Sequence, residues 1–181
     1  MSNLIEPTTK NKNNYILIVM GVSGSGKSTI GEYLSHQLNI EFIEGDFYHS
    51  INNIEKMKLG NPLNDEDRLP WLTSINEKLR YEFFKNHKSV VLSCSALKRK
   101  YRDILKFGFS VNDIILIYLD VDENEIKKRL KNRKEHFFNP VLVKSQFEIL
   151  EEPTEDEGKE VIRFSAIKTI LELKRKIINI F

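Results

Sequence analysis

Apolar positions along the chain fall into two alternating rhythms. YILIVM (15–20), EFIEGD (41–46), SVVLSCS (89–95), DIILIYLD (113–120) and EVIRF (160–164) are short aliphatic runs that predict five strands. Between them the apolar residues recur at helical spacing. Ile30, Tyr33, Leu34 and Leu38 share one face of a helix that follows a glycine-rich turn, and residues 51–58 predict a brief helix ahead of the turn GNPL (60–63). A longer helix is expected from Asp65, read as its N-cap, to about Asn86, with Pro70 in its early turns as a point of breakage or kinking. KRKYRDILKFG (98–108) predicts a helix closed by Gly108. Another runs from about Glu123 to Arg133, PVLVKSQFEILEE restarts a helix at Pro140, and the chain finishes in a terminal helix.

Strands that alternate with helices imply parallel βαβ units and an α/β sandwich. SVVLSCS is apolar throughout, as a strand covered on both faces should be. The expected organisation is a loose polar tail over residues 1–14 and a single domain over 15–181, with no repeat or linker to divide it.

Composition narrows the setting. A chain of 181 residues is long enough to bury a core without staples, and its one cysteine, Cys94, allows neither an internal disulfide nor a multi-cysteine metal site. No apolar run reaches the roughly 18 residues of a membrane helix, so the expected location is the cytoplasm, with no membrane partner. A net charge of +2 gives no case for nucleic acid. The charge is uneven, however: KKRLKNRK (127–134) is basic and EEPTEDEGKE (151–160) acidic. The basic cluster reads either as a solvated helix face or as a site for a small anion.

GVSGSGKS (21–28) carries the strongest chemistry, because it matches G-x-x-x-x-G-K-[ST] and stands between a strand and a helix. Gly21, Gly24 and Gly26 let the backbone of Val22, Ser23 and Ser25 curl so that consecutive N–H groups face phosphate oxygens. The start of the next helix, at Ser28 and Thr29, adds partial positive charge. Lys27 is placed to reach the β- and γ-phosphates, and the Ser28 hydroxyl to ligate Mg²⁺. The pattern alone does not choose among ATPases, GTPases and kinases. No N-K-x-D element is present to read guanine.

Asp46 ends the second predicted strand, and in open parallel sheets ligands sit beyond the carboxyl ends of the strands. A carboxylate there either holds Mg²⁺ through water or accepts the proton of an attacking hydroxyl. Arg68 lies in the first turn of a helix, where acid is the usual choice, and Lys98 and Arg102 are four apart after the third strand. These cations outline a rim for an anionic substrate. Arg129 and Arg133, also four apart, lead into the break HFFNP (136–140) and suit a lid that closes on a transferring phosphoryl group.

In order, GVSGSGKSTIG, GDFYHSINNIEKMKLGNPLNDEDRLPWL, SCSALKRKYRDILK and RLKNRKEHFFNPVLVKSQFEILEEP resemble the gluconate kinases (gluconokinases), and these blocks cover most of residues 15–153. The second block is the most specific, since related small kinases share the phosphate loop but not that stretch. The resemblance implies a three-layer P-loop NTPase fold with a parallel five-stranded sheet and a helical lid at about 123–150. It implies phosphorylation of D-gluconate to 6-phospho-D-gluconate with ATP and Mg²⁺, by a homodimer. On the matching positions, Gly21 to Thr29 would hold ATP and Mg²⁺, while Asp46, His49, Arg68, Lys98 and Arg102 would face the sugar acid. Asp46 would be the base, and Arg129 and Arg133 would belong to the lid. Glu135 stands where the family pattern has glycine, and the segment after Pro153 matches weakly.

Overall fold

The structure is a computed structural model that describes residues 14–131 and 140–165. Among them, β1 (Ile16–Met20), β2 (Glu41–Glu44), β3 (Val90–Ser93), β4 (Ile114–Asp120) and β5 (Glu160–Ser165) form one sheet in the order β2-β3-β1-β4-β5. All four pairings are parallel. The α-helices are α1 (Lys27–Leu38), α2 (Ile51–Lys58), α3 (Asp65–Arg80), α4 (Arg99–Lys106), α5 (Glu123–Lys131) and α6 (Pro140–Glu148).

Alternation along the strands sorts side chains into two cores. Ile16, Ile18 and Met20 join Leu72, Ile75 and Leu79 of α3 and Leu105 of α4 on one face. Leu17 and Val19 meet Ile30 and Leu34 of α1 on the other. These side chains are almost wholly removed from water, and full burial of each aliphatic one is worth about 1.5–3 kcal/mol. A third cluster lies at the carboxyl end of the sheet, where Val22 and Leu97 meet Ile126 and Leu130 of α5 and Val143 of α6.

The chain leaves β1 towards β2 on one side and leaves β3 towards β4 on the other. The connections therefore diverge between β1 and β3, and a crevice opens beyond their carboxyl ends.

Some local expectations are corrected. The N-cap of α3 is Asn64, not Asp65: Asn64 Oδ1 accepts the Asp67 N–H at 2.8 Å while the Asp67 carboxylate accepts the Asn64 N–H at 2.8 Å. Asp65 is thereby released for other bonds. Pro70 does not break the helix, which runs on through Trp71, Leu72, Ile75 and Leu79; their burial offsets the lost hydrogen bond. The helical path then continues in a wider π turn, Tyr81–Lys85, close to the expected end at Asn86. The second strand stops at Glu44, and Gly45–Tyr48 form a 3₁₀ turn, so Asp46 sits two residues beyond the strand. The tail at 1–13, Arg133, the HFFNP break up to Asn139 and the expected terminal helix from 166 lie outside the described residues.

Candidate active site

The phosphate loop follows from its glycines. Gly21, Gly24 and Gly26 have φ of +143°, +82° and +103°, a region that side chains with a Cβ rarely adopt. The curl is closed by the Ser25 N–H donating to the Val22 carbonyl at 3.2 Å, and Lys27 Nζ reaches back over the loop to the same carbonyl at 3.0 Å. The Gly21 N–H donates to the Ser95 carbonyl at 3.3 Å, which ties the loop to the end of β3.

The loop fits a polyphosphate on structural grounds. Gly26 caps α1 without a side-chain bond, and the first turn of α1 carries no acid, so its N-terminal amides and dipole favour an anion. Ser25 Oγ is buried with no hydrogen-bond partner, a polar atom that a phosphate oxygen would satisfy. Ser28 and Thr29 lie exposed in that first turn. No cluster of three or more His, Cys, Asp or Glu that could hold a metal ion occurs among the described residues. A Mg²⁺ ion here would be bound by the Ser28 hydroxyl and phosphate oxygens, the usual manner for this ion.

The crevice beside the loop has a volume of about 350 Å³ and is lined by Ser23, Lys27, Asp46, His49, Arg68 and Trp71, among others. Gly45 sets the position of Asp46. A Cβ at Gly45 would lie 2.5 Å from the Ser93 carbonyl oxygen, so only glycine lets this turn pass so close to β3. Trp71 pins the same turn by donating its Nε1–H to the Gly45 carbonyl at 2.7 Å. Its ring also stacks on His49, with centroids 4.0 Å apart and planes 19° from parallel. Burial pulls the His49 imidazole below its ordinary value; nearby Asp46 opposes this and Arg68 adds to it. His49 Nδ1 is buried without a partner, so the ring carries unused hydrogen-bonding capacity.

Arg68 lines the crevice and is held from behind. Its Nη1 donates to the Leu63 carbonyl and lies 3.4 Å from the Tyr101 hydroxyl, and its guanidinium sits 5.4 Å from the Tyr101 ring centre. The Tyr101 hydroxyl donates in turn to Asp65. Asp65 also receives Lys98 Nζ at 3.0 Å and Lys100 Nζ at 2.5 Å. Hydrogen bonds from Lys100, Tyr101 and Lys98 hold the Asp65 carboxyl well below the usual carboxylate range. Burial and the Asp65 bond push the Tyr101 phenol up to about 12. Lys98 is therefore a member of a cationic cluster behind Arg68. It precedes α4 in extended conformation and does not share a helix face with Arg102.

Arg102 is a clear correction, because it does not face the crevice. Its side chain is buried, and its guanidinium donates to Glu157 at 2.6 and 2.9 Å and to the carbonyls of Ala96, Leu97 and Glu151 at 3.0, 3.2 and 2.9 Å. Four of its five N–H donors are committed and the side chain is buried, so it has no fork to offer a substrate carboxylate. Arg102 acts on the site through Ala96, whose φ of +46° is strained for a residue with a Cβ. By gripping that peptide it fixes the segment that delivers Ser95 to the crevice and Lys98 to its cluster.

Arg129 lies against the phosphate loop: its Nε pairs with Glu125 at 2.8 Å and its Nη1 donates to the Ser25 carbonyl at 3.3 Å. Arg133 falls outside the described residues. Lys27, Asp46, His49 and Arg68 thus share one crevice, with Arg129 at the loop beside it. Sequence reasoning missed Trp71, Tyr101, Asp65 and Gln146. Gln146 lines the crevice from α6, and its Oε1 accepts the Ser23 N–H at 2.7 Å. The tryptophan could have been found, as the chain's only one, inside the most specific block. Asp65 was masked by its own plausibility as a cap.

Comparison with known proteins agrees with this picture. A family model described as shikimate kinase matches residues 23–179. The thermoresistant gluconokinase of Escherichia coli (strain K12) is 45% identical over 150 residues, covering 83% of this chain and 84% of that protein. A solved gluconokinase from Sinorhizobium meliloti 1021 superposes with a TM-score of 0.79 at 38% identity, covering 91% of this chain and 89% of that one. An unliganded sugar kinase from Janibacter sp. HTCC2649 superposes with a TM-score of 0.84 at 37% identity, covering 92% and 93%. The parallel sheet, the phosphate loop and the crevice beside it thus sit in a chain that belongs to the shikimate kinase-like family of P-loop kinases and, within it, to the gluconokinases.

Proposed function

We propose that this enzyme transfers the γ-phosphoryl group of ATP to the terminal hydroxyl of D-gluconate, giving 6-phospho-D-gluconate and ADP. One observation carries the reading: a carboxylate, Asp46, lines the same crevice as the phosphate-loop lysine, Lys27, and a guanidinium, Arg68. Such a crevice brings together a proton acceptor, a phosphate site and an anion site.

The roles follow from chemistry. The O6 atom of gluconate attacks the γ-phosphorus, the bond to the β,γ-bridging oxygen breaks, and ADP leaves with that electron pair. Asp46 orients the hydroxyl and takes its proton; it needs no raised basicity, because the proton leaves late in a loose transition state. His49 hydrogen-bonds a neighbouring hydroxyl. Arg68 pairs with the carboxylate that distinguishes gluconate from glucose, and Lys98 supports it electrostatically from its cluster. Lys27 and Arg129 offset charge on the phosphates, with Arg133 assigned to the same task by family resemblance. Ser28 would hold Mg²⁺, which would supply further neutralisation of phosphate charge.

Two further assignments are a homodimer, which rests on the resemblance and which sedimentation equilibrium would test, and a cytoplasmic location, which rests on the lack of a membrane-length apolar run in the sequence. No helix among the described residues is long and apolar enough to cross a membrane. Nucleic acid is disfavoured as a partner because the net charge is only +2.

The product tests the reading. With Mg·ATP and D-gluconate, the ³¹P spectrum should gain a phosphate ester split into a triplet by two methylene protons, as a terminal ester requires. Shikimate, glucose and L-idonate run beside it should give slower ADP release. Faster turnover of another acceptor, or a doublet from a secondary ester, would overturn the substrate or the position.

A further inference from the structure

Gln146 and Ser23 are 123 residues apart in sequence, yet the Gln146 carboxamide oxygen accepts the Ser23 N–H at 2.7 Å. Ser23 lies early in the phosphate loop, on the side that faces the crevice with Lys27 and Asp46. A loop amide aimed this way is the donor that a terminal phosphate oxygen accepts from. Two acceptors, one from the protein and one from the nucleotide, therefore suit a single donor. We propose that Gln146 is a positioning residue that competes with the terminal phosphates of the nucleotide for the Ser23 amide and so couples their arrival to the placement of α6 over the acceptor crevice. The inference rests on the reading of the loop as an ATP site.

The surroundings suit such a latch. Val143, one turn before Gln146, is buried against Val22, Leu97 and Leu130, so α6 is seated on the loop by an apolar contact that does not need the Gln146 bond. Breaking that one bond frees a side chain without detaching the helix. Leu142, Ser145 and Gln146 all line the crevice, so any adjustment of α6 alters the wall that the acceptor meets. A carboxamide also suits the exchange. It is uncharged, so it yields to a phosphate, whereas a carboxylate would hold the amide in a stronger, charge-assisted bond and repel the incoming anion.

The test is calorimetric titration of a non-hydrolysable ATP analogue, and separately of AMP, into the wild-type protein, Gln146→Ala and Gln146→Glu. Removing the competitor in Gln146→Ala should tighten analogue binding by about two- to tenfold, the worth of one ordinary hydrogen bond. Gln146→Glu should weaken it by more than about tenfold. AMP, which lacks the terminal phosphates, should bind all three proteins within a factor of about two, because its one phosphate does not contest the Ser23 amide. Opposite signs in the two variants cannot come from a merely structural role. Equal affinities, or weakening in both, would overturn the latch while leaving the nucleotide site intact. A wild-type protein that binds no analogue would instead overturn the nucleotide reading and the latch with it.

Discussion

His49 and Arg102 show how differently two polar side chains from neighbouring motifs are used. His49 lies flat on Trp71, half-buried, with Asp46 and Arg68 close enough to act on its charge. Because burial lowers its proton affinity in the fold, the unfolded chain binds more protons below the ordinary value of 6.5. The stability it contributes is present above that pH and is lost as pH falls. An NMR titration, assigned by its loss in His49→Gln, should place the His49 midpoint below 6.5; a midpoint above it would mean that the Asp46 charge dominates. Arg102 instead holds structure together. Burial alone would raise the Glu157 carboxyl, but the Arg102 hydrogen bonds, helped by the Thr154 amide, outweigh it and leave the carboxyl below its ordinary value of 4.5. That stabilisation is complete above 4.5 and fades as pH drops through the lowered value. Arg102→Met should cost about 3–5 kcal/mol by leaving a buried carboxylate uncompensated. The loss belongs at the lower end, since Lys106 Nζ remains 3.5 Å from Glu157. Urea unfolding at neutral pH measures it, and a loss below about 1 kcal/mol would contradict the account. Sequence spacing could show that Lys98 and Arg102 are four apart; it could not show that Glu157, 55 residues further on, claims the arginine.

Elements were legible where one local rule decided them. All five strands and the six helices of the described residues lie near the expected runs, because alternation and helical spacing each had a single reading there. Ends and caps were harder. Asn64 and Asp65 are both good caps by type, and only the reciprocal bonds with Asp67 separate them. The turn after β2 was read as strand because no local rule reports the approach of Gly45 to Ser93 in the neighbouring strand. That contact gives an element-scale prediction. Gly45→Ala drives a Cβ to 2.5 Å from a sheet carbonyl, so it should destabilise the protein by about 1–3 kcal/mol. It should also lower kcat, because Asp46 moves with the turn. Thermal unfolding and steady-state kinetics check the two effects, and an alanine variant with normal kcat would show that the turn does not position the base. The acidic run at 151–160, which sequence left as bare charge, serves the elements too. Glu151 Oε2 accepts the Arg99 N–H at the start of α4 at 2.6 Å, and Asp156 pairs with the Arg99 side chain at 2.5 Å.

At the scale of the molecule, the site exists because the connections leaving the parallel strands β1 and β3 run to opposite sides, and residues from distant segments meet where they part. The phosphate loop comes from β1, Asp46 and His49 from the turn after β2, Arg68 and Trp71 from α3, and Gln146 from α6. Topology of this kind was legible from alternating strands and helices, and with it the pairing of Asp46 with the loop. The cluster that braces Arg68 was not, since its members meet only through packing of α3 on α4. Under the proposed function Asp46 accepts the proton in phosphoryl transfer to gluconate, and comparing wild type with Asp46→Asn tests this at the reacting group itself. Gluconate-dependent ADP release should fall by about 10²–10⁴-fold in the variant, with affinity for the ATP analogue unchanged. An asparagine variant that keeps more than about a tenth of the rate would contradict the role given to Asp46.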